Sequence, residues 1–506
     1  MIFLFRDYPQ LKIIQDLAKT RRLKIYLVGG FLRDLFLNRL CLDFDFAIEK
    51  DAIDFARQFA RRIKGAFVLL DQENGCARVV KKHEGKSLIF DFADFRARTL
   101  RRDLAHRDFT INTLCVDLED WKEETGRAGG GCFADSIKRR AKQPPPASVD
   151  SPLLKILKDF NNAQKDLKRK TIRMVSPKVF QEDPLRLLRA FSLRAVLSFK
   201  IESKTVSQIK KDRALLKDVS AERIRDEFFK VLASWRTAQN LKLMDKIGLL
   251  EEVIPQIRVM FDVKQGGYHH LDVWPHSQET VHQLEKILQE IQDDEKQNEL
   301  NAYLSERLSG TRLRRDLLKL AALLHDIGKP DTQKQEKDRM SFNSHEHVGK
   351  AIVHSIAMML KLSVRERHML EDMVRLHLRP GYLSNFRKPG ERSIFRYFRD
   401  TKDEAVSILL LSLADQRSTR GPLTSRADQR HHETIVRKLI DRYFEMKKQK
   451  PIVRLITGHD LIKELKLKPS PLFAIILKKI EENQAMGKIV SKEAALTLAR
   501  KIVNSK

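Results

Sequence analysis

The spacing of the apolar residues changes along the chain, and that change limits what the chain can fold into. Before residue 120 the apolar runs are short and separated by turns. Ile25–Val28 reads as a strand, Gly29-Gly30 as a turn, Phe31–Leu37 as a helix and Asp43–Ile48 as a second strand, with further strands at Phe67–Leu70, Ala77–Val80 and Leu88–Phe92. From Asp183 onward almost everything repeats at helical spacing, as in Leu185, Leu188 and Phe191, or Ile224, Phe228, Val231 and Leu232. The pattern predicts an α+β chain: an N-terminal head with a sheet, followed by helical domains. Between the two, Trp121 to about Leu153 crowds Gly129-Gly130-Gly131, Lys138-Arg139-Arg140 and Pro144-Pro145-Pro146 into one stretch without period, which predicts a flexible insertion.

At 506 residues the chain is long enough for three or four domains. Its 97 Lys and Arg against 68 Asp and Glu give a formal charge of +29. So basic a chain implies an anionic partner, with nucleic acid the first candidate. The 42% hydrophobic and 33% charged composition excludes collagen-like, disulfide-scaffold and wholly disordered classes. Cys41, Cys76, Cys115 and Cys132 lie far apart with no CxxC pair, which predicts free thiols and a cytoplasmic setting. The first residues carry no secretory signal, and the longest apolar run, around Ala405–Ala414, is too short to span a bilayer.

Two constellations carry chemistry. In the first, Gly29-Gly30-Phe31-Leu32-Arg33-Asp34 follows a strand and opens a helix. Glycines let the backbone approach a phosphate, and Arg33 can add a bidentate contact. Next come Asp43 and Asp45 around Phe44. A spacing of two on a strand puts both carboxylates on one face, about 7 Å apart along the chain. Such a pair is unfavourable unless a cation bridges it, and oxygen ligands suit Mg²⁺. Asp91, on another predicted strand, can supply a third carboxylate.

In order, Gly29-Gly30-x-x-Arg33-Asp34, Asp43-x-Asp45, Arg107-Asp108-Phe109-Thr110-Ile111-Asn112 and Glu182-Asp183-Pro184-Leu185-Arg186-Leu187-Leu188-Arg189 resemble the motifs of the class II tRNA nucleotidyltransferase/poly(A) polymerase family. The resemblance implies a polymerase-β-like nucleotidyltransferase head with two Mg²⁺ ions on Asp43 and Asp45. Gly30 and Arg33 would hold the triphosphate, Arg107 would contact the nucleotide and Asp108 would help read the ribose. Asp183 and Arg186, with Arg189 on the same helix face, would form a protein edge that admits CTP and ATP. One family loop departs here: Asp159-Phe160-Asn161-Asn162-Ala163-Gln164-Lys165-Asp166-Leu167 lacks its glycine.

The second constellation begins where the apolar run Leu320–Leu324 ends in His325-Asp326-Ile327-Gly328-Lys329-Pro330. A charged pair at the end of an apolar helix is costly unless ligated or paired. Around it in sequence stand His276, His345, His377 and Asp415, and imidazole with carboxylate suits Mn²⁺, Fe²⁺, Ni²⁺ or Co²⁺. The set resembles an HD domain. His276, His325, Asp326 and Asp415 match its metal ligands, while His345 and His377 match the extra positions of two-metal members. His269 and His270 are runners-up for the first ligand. The implied chemistry is attack of activated water on a phosphate ester of RNA.

These readings give a head at residues 1–155 with the insertion at about 121–153, a helical neck at 156–262, an HD domain at 263–445 and a helical tail at 446–506. The expected function is addition of C and/or A to the tRNA 3′ end from CTP and ATP, with no membrane partner. The alternatives are a poly(A) polymerase, a split CC-adding or A-adding enzyme, and an HD phosphohydrolase whose head only binds RNA.

Overall fold

The computed structural model describes residues 8–83, 85–121, 156–267, 269–294, 297–336, 339–449 and 453–504. The predicted insertion therefore lies outside the described residues. The chain forms two compact units that divide between Val219 and Ser220.

The first unit is built on a seven-stranded sheet. Its strands are β1 (Ile25–Val28), β2 (Asp43–Ile48), β3 (Ala66–Asp71), β4 (Cys76–His83), β5 (Lys86–Asp94), β6 (Cys115–Asp117) and β7 (Leu157–Lys158), in the order β3-β4-β5-β2-β1-β6-β7. Only β2 and β5 run parallel, with Phe44 opposite Phe90, Asp45 opposite Asp91 and Phe46 opposite Phe92. Because side chains alternate along a strand, this register gives the sheet one aromatic and one acidic face. Phe44 stacks on Phe90 at 5.0 Å and Phe46 on Phe92 at 4.9 Å. Helices α1 (Pro9–Arg21), α2 (Gly30–Phe36) and α3 (Ala52–Ile63) belong to this unit. Phe55 and Phe59 of α3 pack on Phe92, and Phe31 of α2 stacks on Phe44 at 4.4 Å. Each fully buried Phe contributes about 2–3 kcal/mol, so this layer dominates the stability of the head.

The predicted strands are all present: β1 and β2 span the predicted residues, β3, β4 and β5 run one to three residues further at their ends, and the head sheet reaches past residue 155 to β7. The helical pattern after residue 156 is interrupted by short strand pairs. Thr171–Ile172 runs parallel to Lys200–Ile201, and two small hairpins join Arg307–Ser309 to Arg312–Leu313 and Lys334–Glu336 to Arg339–Ser341. Pairs this short leave no period in the sequence. Between the first two strands runs α4 (Leu185–Leu197).

The second unit is a helical assembly. Its main elements are α5 (Val273–Asp293), α6 (Arg314–Leu324), α7 (His345–Met359), α8 (Val364–Leu376), α9 (Arg379–Ser384), α10 (Glu391–Thr401), α11 (Ala405–Ser418), α12 (Arg426–Lys448) and, in the tail, α13 (Pro471–Ala485). Helix α5 packs on α6 and α11, and α7 on α8. Among the described residues no helix is long and apolar enough to cross a membrane.

Helix α6 is buried on nearly every side, and its Lys319 is 1% exposed. The ammonium donates to the Leu232 carbonyl at 2.9 Å, the Ser234 carbonyl at 2.5 Å and the Thr237 hydroxyl at 3.2 Å. It thereby closes the end of the helix Ala221–Leu232. Burial, opposed by Glu285, lowers Lys319 to about 8. We expect Lys319→Met to leave those acceptors unpaired and cost roughly 2 kcal/mol in urea unfolding. In the native chain the unfolded state binds the extra proton between pH 8 and 10.5, so stability rises with pH across that window. In the Met variant this rise should be absent, so the stability difference between the two chains should grow as pH rises through the window.

Candidate functional site

The acidic face of the head sheet carries one row of registered residues. Arg78 of β4 lies opposite Asp91 of β5, Asp91 opposite Asp45 of β2, and Asp45 opposite Val28 of β1. Asp43 stands two residues along on the same face and is exposed, while Asp45 is half-buried. Burial raises the Asp43 carboxyl, and the neighbouring Asp45 and Asp91 raise it further. Burial also raises Asp45, against the pull of Arg107. A divalent cation would relieve both, and the donor set is all oxygen, so the residues fit such an ion.

Val28 runs directly into Gly29, whose φ of +80° suits only glycine. A Cβ there would stand 2.9 Å from both Arg107 Nη1 and Asp45 Oδ2. The turn thus seats a guanidinium and a carboxylate directly over bare backbone. Asp45 also accepts the Gly30 amide. Arg33 is buried and spends donors on Asp34 Oδ1 at 3.1 Å, Asp34 Oδ2 at 2.8 Å and Asn112 Oδ1 at 2.7 Å. Asn112 in turn donates to Asp108 at 3.0 Å. Burial would raise Asp108, but Arg189 at 3.1 Å and its hydrogen bonds to Asn112 and Phe109 lower it overall. Asp91 is held at both oxygens by Arg78, at 2.7 and 2.8 Å. The sequence reading singled out neither Arg78 nor Asn112, and only their in-register or bridging positions reveal them.

Arg186, 6% exposed, donates to the His106 carbonyl at 2.8 Å and the Val179 carbonyl at 3.2 Å, and pairs with Glu182 at 3.4 Å. Burial lowers its pKa. Asp183 accepts the Leu185 amide at 3.3 Å at the start of α4. Together with the Arg189–Asp108 pair, these contacts tie α4 to the segment that carries Arg107. The departing loop is ordered by Asp159, which accepts the amides of Ala163 at 2.8 Å and Gln164 at 3.0 Å. Asn162 takes the left-handed conformation there (φ +58°), which Asn tolerates better than most side chains.

In the second unit, His276 lies in the first turn of α5, His325 and Asp326 end α6, His345 opens α7, His377 ends α8 and Asp415 lies on α11. Among the described residues, only two groups bring three ligand atoms within 4.8 Å of one another: His276, His325 and Asp415, and Asp326, His345 and His377. Asp326 belongs to both neighbourhoods. Its Oδ2 lies 3.2 Å from His325 and 3.6 Å from His276, and its Oδ1 lies 3.3 Å from His345 and 3.8 Å from His377. His269 packs edge-on against His276 at 4.7 Å, and neither it nor His270 belongs to these groups.

The imidazoles are oriented from behind. Nδ1 of His325, His345 and His377 each faces the carbonyl three residues earlier, Ala322 at 2.9 Å, Phe342 at 2.8 Å and Val374 at 2.7 Å. A proton on each Nδ1 leaves the Nε2 lone pairs aimed inward, as a metal requires. Nε2 of His345 and His377 face each other at 3.3 Å. Burial, then the neighbouring His325 and His345, press His377 down to about 3. Burial also acts to lower His325, but Asp326 and Asp415 outweigh it and drive it up to about 10. That proton competes with a divalent cation for the same lone pair. Buried His325 Nε2 has no hydrogen-bond partner and faces the carboxylates of Asp326 and Asp415, so the residues fit a divalent metal. Lys329 Nζ stands 2.7 Å from Asp326 Oδ2, a partner the sequence reading passed over.

Gly328 explains the motif's glycine. A Cβ there would meet the His345 carbonyl at 2.2 Å and the Gly349 amide nitrogen at 2.5 Å. Bare backbone lets the His-Asp turn lie against the first turn of α7, which brings His345 to Asp326.

Residues 25–125 match the family model for the poly A polymerase head domain, 198–260 that for the RNA- and SrmB-binding site of polymerase A, 273–420 that for the HD domain, and 425–499 that for tRNA nucleotidyltransferase domain 2. An A-adding tRNA nucleotidyltransferase of Deinococcus radiodurans is 28% identical over 477 residues, covering 93% of each chain. A CC-adding tRNA nucleotidyltransferase of Thermus thermophilus is also 28% identical over 477 residues, covering 92% of this chain and 91% of that one. The solved Thermotoga maritima CCA-adding enzyme complexed with tRNA shares the fold, with a TM-score of 0.58 at 19% identity over 98% of this chain and 95% of that one.

We expect Gly328→Ala to push the His-Asp turn off α7. Metal retained after desalting, measured by plasma mass spectrometry, should fall roughly tenfold in affinity while helical circular dichroism is preserved.

Proposed function

Because the chain belongs to the class II tRNA nucleotidyltransferase/poly(A) polymerase family, with an HD domain, we propose that it adds C and/or A to the 3′ end of tRNA from CTP or ATP. The observation that carries this reading is the registered row of Asp45 and Asp91, with Asp43 beside it, behind the Gly29 turn and under Arg107. Asp43 and Asp45 would hold Mg²⁺. The bound ion supplies Lewis-acid activation of the 3′-hydroxyl and charge relief for the departing pyrophosphate.

The remaining work falls to this chain's own side chains. Arg107 faces Asp45 across the glycine and is placed to pair with a phosphate drawn to the metal side. Arg33, braced by Asp34 and Asn112, keeps the first turn of α2 fixed behind it. Asp183 accepts from the exocyclic amine that C carries at C4 and A at C6, where U and G carry a carbonyl oxygen instead, while Arg186 donates to the neighbouring ring nitrogen. Arg186 is already anchored by two carbonyls, so its remaining donors are pre-aimed rather than free to follow the wrong base. The cytoplasmic setting expected from the thiols accords with a tRNA substrate.

The six inward-facing groups of the HD site would hold a transition metal pair of the Mn²⁺, Fe²⁺, Ni²⁺ or Co²⁺ class. The site would hydrolyse a phosphate at an RNA end, either a 2′,3′-cyclic, a 2′- or a terminal phosphate.

The test is incorporation from CTP alone, ATP alone and both, on tRNA lacking its last three, two or one nucleotides, with an unrelated RNA as control. Self-terminating addition confined to tRNA is the expected outcome. Stopping after CC, or demanding a CC end, assigns a split enzyme. Long A tails on any RNA replace the reading with a poly(A) polymerase, and no incorporation at all defeats it. Asp43→Ala and Asp45→Ala should each lower kcat by at least about 10³-fold with tRNA affinity little changed. Asp183→Ala should raise UTP and GTP incorporation relative to CTP and ATP, and an unchanged preference would remove its templating role.

A further inference from the structure

Arg78 of β4 stands on the acidic face of the head sheet and belongs neither to the Asp43/Asp45 pair, nor to the glycine turn, nor to the nucleotide motifs. Among the described residues its hydrogen bonds go to one partner. Nε donates to Asp91 Oδ1 at 2.7 Å and Nη2 to Asp91 Oδ2 at 2.8 Å, so the fork takes both oxygens of that carboxylate. Strand register places the pair directly beside Asp45, with Asp43 two residues along. Hydrogen bonding to Asp91 raises the Arg78 pKa against its burial, and the charges of Asp91, Asp43 and Asp45 add to the rise. Burial, Asp45 and Asp91 raise the Asp43 carboxyl in turn, and Arg78 draws it partly back down. One guanidinium thus interacts with all three carboxylates.

Other arginines of the head are locked, and Arg78 is not. The Arg33 side chain is 11% exposed and braced by Asp34 and Asn112, and Arg186 is anchored by two carbonyls. The Arg78 side chain is 40% exposed and that of Asp91 29%. An ion pair this open to water is weak, because solvent competes for both partners. A divalent cation drawn in by Asp43 and Asp45 meets the same carboxylate with twice the charge. With Arg78 on it, Asp91 adds no net charge to the row, and one lone pair of each oxygen is taken. Freed of Arg78, it is a third oxygen ligand of the kind hard cations accept. The guanidinium and the ion compete for one group.

We propose that Arg78 is a displaceable counter-ion of this carboxylate row, which occupies Asp91 in the free chain and thereby weakens the hold of the head on a divalent cation. The competition rests on Asp43 and Asp45 holding that ion, as proposed above for nucleotidyl transfer. Arg78 is then a positioning residue that acts through Asp91. Its effect is a head that binds its ion less tightly than three unpaired carboxylates side by side would.

The probe is Mn²⁺, titrated into the full-length chain with the free ion read by its paramagnetic resonance signal. Each titration is paired with the same chain carrying Asp45→Ala, and the difference isolates the head from the metal groups of the second unit. Arg78→Met, and Arg78→Gln as its polar counterpart, should each tighten the head's affinity at least about tenfold, because a unit of positive charge leaves the row. Adding Asp91→Asn to Arg78→Met removes the pair as a whole and leaves the net charge of the row as it was. That double variant should return to within about threefold of the unaltered chain. A pair that only stabilises the sheet would lower the urea midpoint of the Arg78 variants without tightening Mn²⁺, and that result overturns the proposal. So does a weaker affinity, or a gain that survives Asp91→Asn. If Asp45→Ala removes no Mn²⁺ from either the unaltered chain or the Arg78 variants, the metal reading of the head fails and the competition fails with it. An ion lost with Asp45 but indifferent to Arg78 leaves that reading standing and defeats the competition alone.

Discussion

The parallel pairing of β2 with β5 is the constraint on which the head depends. Its sequence alternates strictly, Asp-Phe-Asp-Phe against Phe-Asp-Phe, and the two strands meet with like opposite like. The aromatic side then buries four phenylalanines under α2 and α3, while the acidic side gathers Asp45 and Asp91, with Asp43 beside them. A slip of one residue would put carboxylates into the core and rings into solvent, a cost of many kcal/mol. The register is therefore enforced by the hydrophobic layer. Carboxylates that repel one another are held together by burial energy spent on the opposite face. Arg78 and Arg107 flank the row and partly neutralise it, which keeps the arrangement tolerable before any cation arrives.

The HD site meets the same problem by a different route. Its six converging side chains come from five helices or their ends, and close backbone approach at Gly328 and Gly349 lays the His-Asp turn against α7. Three of its imidazoles are aimed by carbonyls three residues earlier in the chain, so their orientation follows from the local fold without a dedicated partner. Asp326, with one oxygen toward each triad, is the group through which the two halves of the site communicate. In the head a strand period sets the spacing of the charges. In the second unit helix ends do.

This difference decides what was legible in the sequence. Asp43-x-Asp45 could be read as a same-face pair because a strand's period is two, and His325-Asp326 could be read as a site because polar residues interrupt an apolar helix. Arg78 could not, since its role exists only through cross-strand register with Asp91, thirteen residues away. Asn112 ends the Arg107–Asn112 motif, but its bridging of Arg33 and Asp108 depends on a turn that no pattern announces. Lys319 sits in Leu-Leu-Lys-Leu-Ala-Ala-Leu-Leu, where spacing alone suggests a lysine reaching for solvent. Only the convergence of the backbone acceptors at 232 and 234 shows that it is an internal clasp. The two-residue strands near Thr171 and Lys200 were invisible for a simpler reason, being shorter than any period that could mark them.

A formal charge of +29 would by itself hold RNA loosely and in many registers. Around α10 the excess charge is ordered by carboxylates. Asp400 and Glu482 each take two arginines, so these side chains are ordered within the folded chain. The entropy of immobilising them is then lost on folding. The head applies the same logic at smaller scale, where Asp34 and Asn112 brace Arg33 and two carbonyls brace Arg186. In both units acidic and carbonyl oxygens are used to aim arginines. An arginine aimed by its neighbours presents its charge at one place and in one orientation, which a diffuse excess of positive charge cannot do.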